Sequence, residues 1–317
     1  MINTLFLMPD STLKQDNNVL WPILLIFVMF ILATVYPATK HLSSSVSPVR
    51  IAFFRYFWGT IALIPFFVVE NRNKKAPVRP RDALAMAGLG SLGIAVFSLC
   101  HTFGLKLSTA YNGSLLINSQ PIFTTLLAPL IIKEDFSYVR ILGALTGMVG
   151  VYFVAAGGLG GGEILNHVYF RGNLILVGGA LAVSIYSILL KRYIIRYGGF
   201  IPTFLTMLSG TVFLLAAAVL VGGRGIFRGL SAESWLLLLY IGLVGTALVY
   251  PLFNLALKGT GVVRAVGFKL LIPVFGLALS VLLLGERPGL FTFAGAAIVI
   301  GAVYLIQRVP LGPGRSR

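Results

Sequence analysis

The feature that most constrains this chain is its succession of apolar stretches, each about 20 residues long and separated by short polar segments. A stretch of that length crosses roughly 30 Å of hydrocarbon as a helix. With 57% hydrophobic residues, 11% charged residues and a mean hydropathy of +0.94, too little polar material remains to cover a water-soluble surface. Hydrocarbon offers no partners to backbone N–H and C=O groups, which must then bond within the protein. The short alternating segments of a barrel do not occur, so a bundle of helices is expected.

Ten spans are expected near Val19–Thr39, Pro48–Val69, Ala83–Leu105, Ala110–Ile132, Tyr138–Ala155, Gly172–Leu190, Thr203–Val221, Trp235–Leu257, Val262–Leu284 and Leu290–Ile306. Basic side chains test their direction, because they collect on the cytoplasmic side of a membrane. With the N-terminus inside, 16 of the Lys and Arg residues fall on the cytoplasmic side and seven on the other. The expectation is a multi-pass cell-membrane protein with both termini cytoplasmic, residues 1–18 and 307–317 forming the tails. The apolar part of the first tail, Leu5 to Met8, is too short for a signal peptide and has no basic flank.

The same distribution accounts for the formal charge of +16 through membrane lipids and removes the need for a nucleic-acid partner. A lone Cys100 allows no intrachain disulfide and no clustered thiolate metal site. The glycine-rich GGLGGGE at 157–163 lacks the GK[ST] ending of a phosphate loop, so ATP-driven pumping has no support and no cofactor is expected.

An internal repeat organises the spans. NSQPIFTTLLAPLIIKEDF, ending span four, can be laid on KLLIPVFGLALSVLLLGERP, ending span nine. Pro121 then matches Pro273, and Glu134 matches Glu286, each pair 152 positions apart; Pro48 and Pro202, each near the start of a span, are 154 apart. The halves are residues 19–155 and 172–306, joined by a linker at 156–171. Five spans per half is an odd number, so the second half runs inverted through the membrane. The expected fold is an all-α integral membrane protein of ten transmembrane helices in two inverted five-helix repeats, a device for alternating access.

SPVRIAFFRYFWGTIAL in span two, the STAYNGSLLINSQP segment with the glycine-rich span that follows it, and GTGVVRAVGFKLLIPVFGLALSVLLLGERP with span ten carry a resemblance. Over nearly its whole length the chain resembles the drug/metabolite transporter superfamily, in particular its ten-helix EamA-type exporters. The resemblance implies secondary transport of small metabolites without ATP hydrolysis, and no enzyme activity. Two places depart from the usual pattern: FILATVYPATK in span one stands where relatives commonly have a tryptophan-glycine opening, and Lys269 stands where an apolar or small polar residue is usual.

Two cations lie inside spans. Arg55 is seven residues into span two and Lys269 seven into span nine, which enter from opposite faces, so each is roughly 10 Å below its starting surface. No Asp or Glu lies deep in any span. A cation at a helix centre costs at least about 2.5 kcal/mol unless water, carbonyls, aromatic faces or a bound anion offset it. Both residues are candidate contacts for a carboxylate or phosphate, against the alternative that they snorkel or anchor helices.

Asn118, Ser119 and Gln120 precede Pro121, whose missing N–H leaves carbonyl capacity unused; they either line a cavity or bond between helices. Tyr111 and Asn112 open span four, and Tyr250 and Asn254 flank Pro251 in span eight. With Tyr186 and Trp58 they complete the candidates for substrate contact or gating, and Pro121, Pro251 and Pro273 are the expected helix breaks. His101 is the candidate for proton coupling, with a place among lipid headgroups as its alternative.

The leading functional expectation is export or exchange of small organic solutes, amino acids or related metabolites first. Phosphorylated sugars, nucleotide sugars or dicarboxylates form the second class, and a membrane binding protein that transports nothing is the contrasting alternative. A solute bearing a carboxylate or phosphate, and membrane lipids, are the expected partners; monomer and homodimer are both open.

Overall fold

A computed structural model describes residues 19–42, 44–72, 77–108, 116–132, 136–156, 169–222, 226–284 and 289–309. Among these residues the regular structure is entirely helical. Ten helical elements follow in order: α1 (Leu20–Leu42), α2 (Pro48–Arg72), α3 (Pro80–Gly90, Ser91–Val96 and Phe97–Lys106), α4 (Gln120–Ile132), α5 (Tyr138–Ala156), α6 (Phe170–Tyr197), α7 (Phe200–Gly222), α8 (Ala232–Gly242, Leu243–Leu248 and Val249–Thr260), α9 (Val262–Gly267, Phe268–Leu270 and Leu271–Leu284) and α10 (Leu290–Arg308). Eight are long and apolar enough to cross a membrane; α4 and α5 are shorter apolar helices. Large apolar side chains such as Leu220, Leu282 and Leu290 remain exposed on the outside, as suits a lipid-facing surface.

Three helices change winding midway. α3 and α8 each carry a six-residue π-helical segment, Ser91–Val96 and Leu243–Leu248, 152 positions apart. α9 tightens to a 3-10 turn at Phe268–Leu270 before continuing from Leu271. Sequence accounts for this last change: Pro273 has no N–H to offer the carbonyl of Lys269, four residues earlier, and Leu271 N–H turns to Phe268 and Lys269 instead. Such interruptions are tolerated at membrane depth where they are buried in protein or line a cavity.

Small residues set how closely the helices approach. α5 lies along α10, where a Cβ at Gly150 would sit 2.8 Å from Gly295 O and one at Gly143 would sit 3.3 Å from Ala302 O. α2 packs on α7 and α8, and a Cβ at Gly59 would meet Thr246 at 2.7 Å. α7 crosses α3, where a Cβ at Gly210 would meet Ile94 at 2.6 Å. Helices in lipid associate through contacts of this kind, because moving apolar side chains from lipid to protein gives little net gain.

At one end of the bundle the Glu70 carboxylate of α2 accepts the N–H groups of Phe200 (3.0 Å) and Ile201 (2.8 Å), the unsatisfied donors that open α7. Asp82 of α3 lies nearby in the chain and binds the end of α6, accepting from Tyr197 Oη at 2.5 Å and pairing with Arg196 at 3.1 Å. Two apolar clusters fill the interior, one centred on α1, α6, α8 and α9 and the other on α2, α7 and the first turns of α8.

Candidate substrate site

Seven helices, α1, α2, α3, α4, α6, α8 and α9, surround a cavity of about 140 Å³. Both intramembrane cations line it. Arg55 comes from α2, directly after a run of buried Ile51, Ala52, Phe53 and Phe54 that seats the helix; Lys269 comes from the 3-10 turn of α9. Among the described residues no Asp or Glu lines the space.

Lys269 is held by neutral groups. Its Nζ donates to Gln120 Oε1 at 2.8 Å and lies 5.0 Å from the centre of the Phe253 ring. Gln120 Nε2 donates to Ser187 Oγ at 3.3 Å, and Ser187 Oγ donates to Val183 O at 2.8 Å. An ammonium can only donate, so this chain has one direction and orients the Gln120 amide. Ser184 Oγ, next to Val183 on α6, donates to Ala180 O at 2.7 Å and shares that proton with Gln120 O at 3.2 Å, at the start of α4.

Arg55 is anchored differently. Its Nε donates to Thr246 Oγ1 at 3.0 Å and a terminal nitrogen donates to Gly245 O at 3.3 Å, both in the π-helical segment of α8. Thr246 Oγ1 in turn donates to Ile241 O at 2.9 Å. Beside it, Tyr56 Oη and Tyr250 Oη meet at 2.7 Å, joining α2 to α8. Tyr186 reaches Thr206 Oγ1 at 3.2 Å, and Asn254 Nδ2 donates to Thr203 Oγ1 at 2.7 Å, so two further lining side chains are braced against α7.

The lining therefore gathers Arg55, Lys269, Asn118, Gln120, Tyr186, Tyr250, Asn254, His101 and Pro121 from the residues singled out in the sequence. His101 faces this space and stacks on Phe97 with ring centres 6.1 Å apart. Trp58 and Ser119 do not line it. Trp58 points to the far side of α2, packing on Trp235 at 6.3 Å with its Nε1 buried and lacking a hydrogen-bond partner, and Ser119 turns back to donate to Leu116 O at 2.5 Å. Pro251 and Pro273 do not line the cavity: Pro251 lies within the α-helical stretch Val249–Thr260 and Pro273 follows the 3-10 turn of α9, while Tyr111 and Asn112 lie outside the described residues. Tyr56, Ser187, Phe253 and Thr246 escaped the sequence reading. Only the adjacency of Tyr56 to Arg55 offered a signal, since the others gain their partners through helix packing.

Comparison with known proteins agrees with this architecture. The model of the EamA-like transporter family matches twice, over residues 19–156 and 170–308. Uncharacterized transporter YdfC of Bacillus subtilis is 30% identical over 86% of this chain and 85% of its own. A probable terminal-alkyne amino-acid exporter of Streptantibioticus cattleyicolor is 26% identical over 81% of this chain and 84% of its own. A solved crystal structure at 18% identity superposes with a TM-score of 0.74 over 89% of this chain and 94% of that one, a likeness of fold. The chain belongs to the EamA-like transporter family, and is a multi-pass membrane protein that carries small organic solutes by secondary transport rather than an enzyme.

Proposed function

We propose that this protein exports amino acids or related carboxylate-bearing metabolites by alternating access, with Arg55 and Lys269 at the binding site. The observation that carries the proposal is the convergence of these two cations on one cavity with no acidic residue among its described lining. Each is held by neutral groups of the protein, so the pair leaves positive charge that a solute carboxylate partly offsets. The ammonium of an amino acid would bond to the hydroxyl, amide and ring groups of Tyr56, Tyr250, Asn118 and Phe253, which line the same space. The probable terminal-alkyne amino-acid exporter among the relatives supports the choice of class.

The alternating-access part rests on ten spans in two inverted halves, and several features support it. The family match divides into 19–156 and 170–308, and the π-helical segments of α3 and α8 are separated by the same 152 positions as the Pro121 and Pro273 pair. Contacts between α5 and α10 are reciprocal: Gly143 meets Ala302 while Gly295 meets Gly150, and positions 143 and 295, like 150 and 302, are 152 apart. Exchange of partners in this way is what a two-fold axis between the halves produces. The bias of basic residues orients both termini to the cytoplasm of the cell membrane.

Counterflow into liposomes holding purified protein tests the proposal, with neutral and aromatic amino acids, dicarboxylates, sugar phosphates and nucleotides as internal solutes. Saturable amino-acid exchange that falls in Arg55→Ala and Lys269→Ala supports it. Exchange confined to phosphorylated compounds overturns the substrate class, and absence of any flux overturns transport of these solutes.

A further inference from the structure

Gln120 has a larger part in the site than its place beside a helix break implies. It meets Lys269 from the other half of the chain, with Oε1 2.8 Å from the ammonium. Its side chain is buried, and Ser187 holds its Nε2 end at 3.3 Å, so the amide is fixed at both ends with its oxygen toward the ammonium. A carboxylate of the same length would fit the same position and pair with Lys269 directly. The chain instead carries the amide, which fixes the ammonium in place without cancelling its charge.

We propose that Gln120 is the positioning residue that sets which net charge the cavity selects in its solute. It orients Lys269 while leaving one full positive charge for the solute carboxylate, and an acid at this position would satisfy Lys269 from within the protein. Specificity of this kind is a difference between affinities, and it depends as much on which charge is left uncompensated as on the contacts made. The inference rests on the carboxylate reading given above.

Counterflow with three solutes sharing one skeleton tests it: a zwitterionic amino acid such as valine, its N-acetyl derivative carrying one negative charge, and its amide carrying one positive charge. In Gln120→Glu the apparent KM for the N-acetyl derivative is expected to rise relative to that for the zwitterion by about tenfold or more, the scale of about 1.4 kcal/mol in selective binding. Gln120→Met keeps the length but removes the acceptor. It is expected to raise both KM values together with little change in their ratio, because Lys269 keeps its charge and loses its placement. The double variant Gln120→Glu/Lys269→Gln reverses the sign of the pair while Arg55 keeps its charge, and is expected to lower the KM for the amide relative to that for the N-acetyl derivative.

A purely structural Gln120 predicts that the Glu and Met variants behave alike in all three solutes, and that result overturns the assignment while leaving the carboxylate reading intact. Unchanged selectivity in a well-folded Gln120→Glu protein does the same. The shared skeleton is that of an amino acid the wild type exchanges; if the wild type exchanges no carboxylate-bearing solute, the carboxylate reading fails and this assignment fails with it.

Discussion

Tyr56 and Tyr250, 194 residues apart in the chain, meet hydroxyl to hydroxyl at 2.7 Å on the wall of the cavity, with their rings edge to face at 6.0 Å. The contact joins α2 to α8 across the two halves. Removing one hydroxyl leaves the other, part-buried on the cavity wall, without its partner, at a cost of about 1 kcal/mol, whereas removing both leaves two matched apolar rings. Tyr56→Phe and Tyr250→Phe should each lower the thermal unfolding temperature in detergent, and the double variant should lose less than the sum. A strictly additive double-mutant cycle would show that the hydroxyl contact carries no coupling.

Arg55 reaches Thr246 and Gly245 through two different nitrogens, a geometry that a single ammonium lacks. Arg55→Lys should therefore fail to restore counterflow lost in Arg55→Ala. Thr246→Val removes one acceptor while keeping the volume, and should raise the apparent KM by about tenfold. Full activity in Arg55→Lys would reduce the role of this residue to its charge.

The crossing of α5 and α10 leaves no room at Gly150, where a Cβ would lie 2.8 Å from both Gly295 O and Val299 Cγ2. Gly150→Ala should destabilise the protein by about 1–3 kcal/mol through overpacking. Gly178 is the control, since nothing lies within 4 Å of a Cβ there; Gly178→Ala should leave thermal stability unchanged or raise it. Equal losses at the two positions would show that helix approach is not the cause.

Glu70 and Arg196, at one end of the bundle, should differ in what they contribute. Glu70→Ala strips two N–H groups at the start of α7 of their acceptor and should cost about 1–2 kcal/mol, as loss of a helix cap does. Arg196 is 45% exposed where it pairs with Asp82, so Arg196→Gln should cost about 1 kcal/mol or less. Thermal unfolding followed by size-exclusion fluorescence orders the two, and a larger loss in Arg196→Gln would reverse the assignment of cap and ion pair.

The amino-acid sequence by itself determined that this chain is a helical membrane protein, where most of its helices lie, and that the pattern around Pro121 recurs around Pro273; the span expected from Ala110 has its described helix at Gln120–Ile132, with residues 109–115 outside the described residues. These properties depend on local composition and on the loss of backbone hydrogen bonds in lipid, which every stretch of the chain expresses independently. It also marked Arg55 and Lys269, because a charge amid apolar neighbours stands out without knowledge of its surroundings. Only tertiary structure decided that the two share a cavity, that Lys269 rests on Gln120 and Phe253, and that Arg55 is tied to the π-helical segment of α8. Trp58 and Ser119 carried the same polar and aromatic signals as the lining residues, yet face elsewhere. Which side of a helix meets the cavity is set by its rotation against neighbours distant in the chain, and a nearly all-apolar helix leaves little periodicity from which to read that rotation.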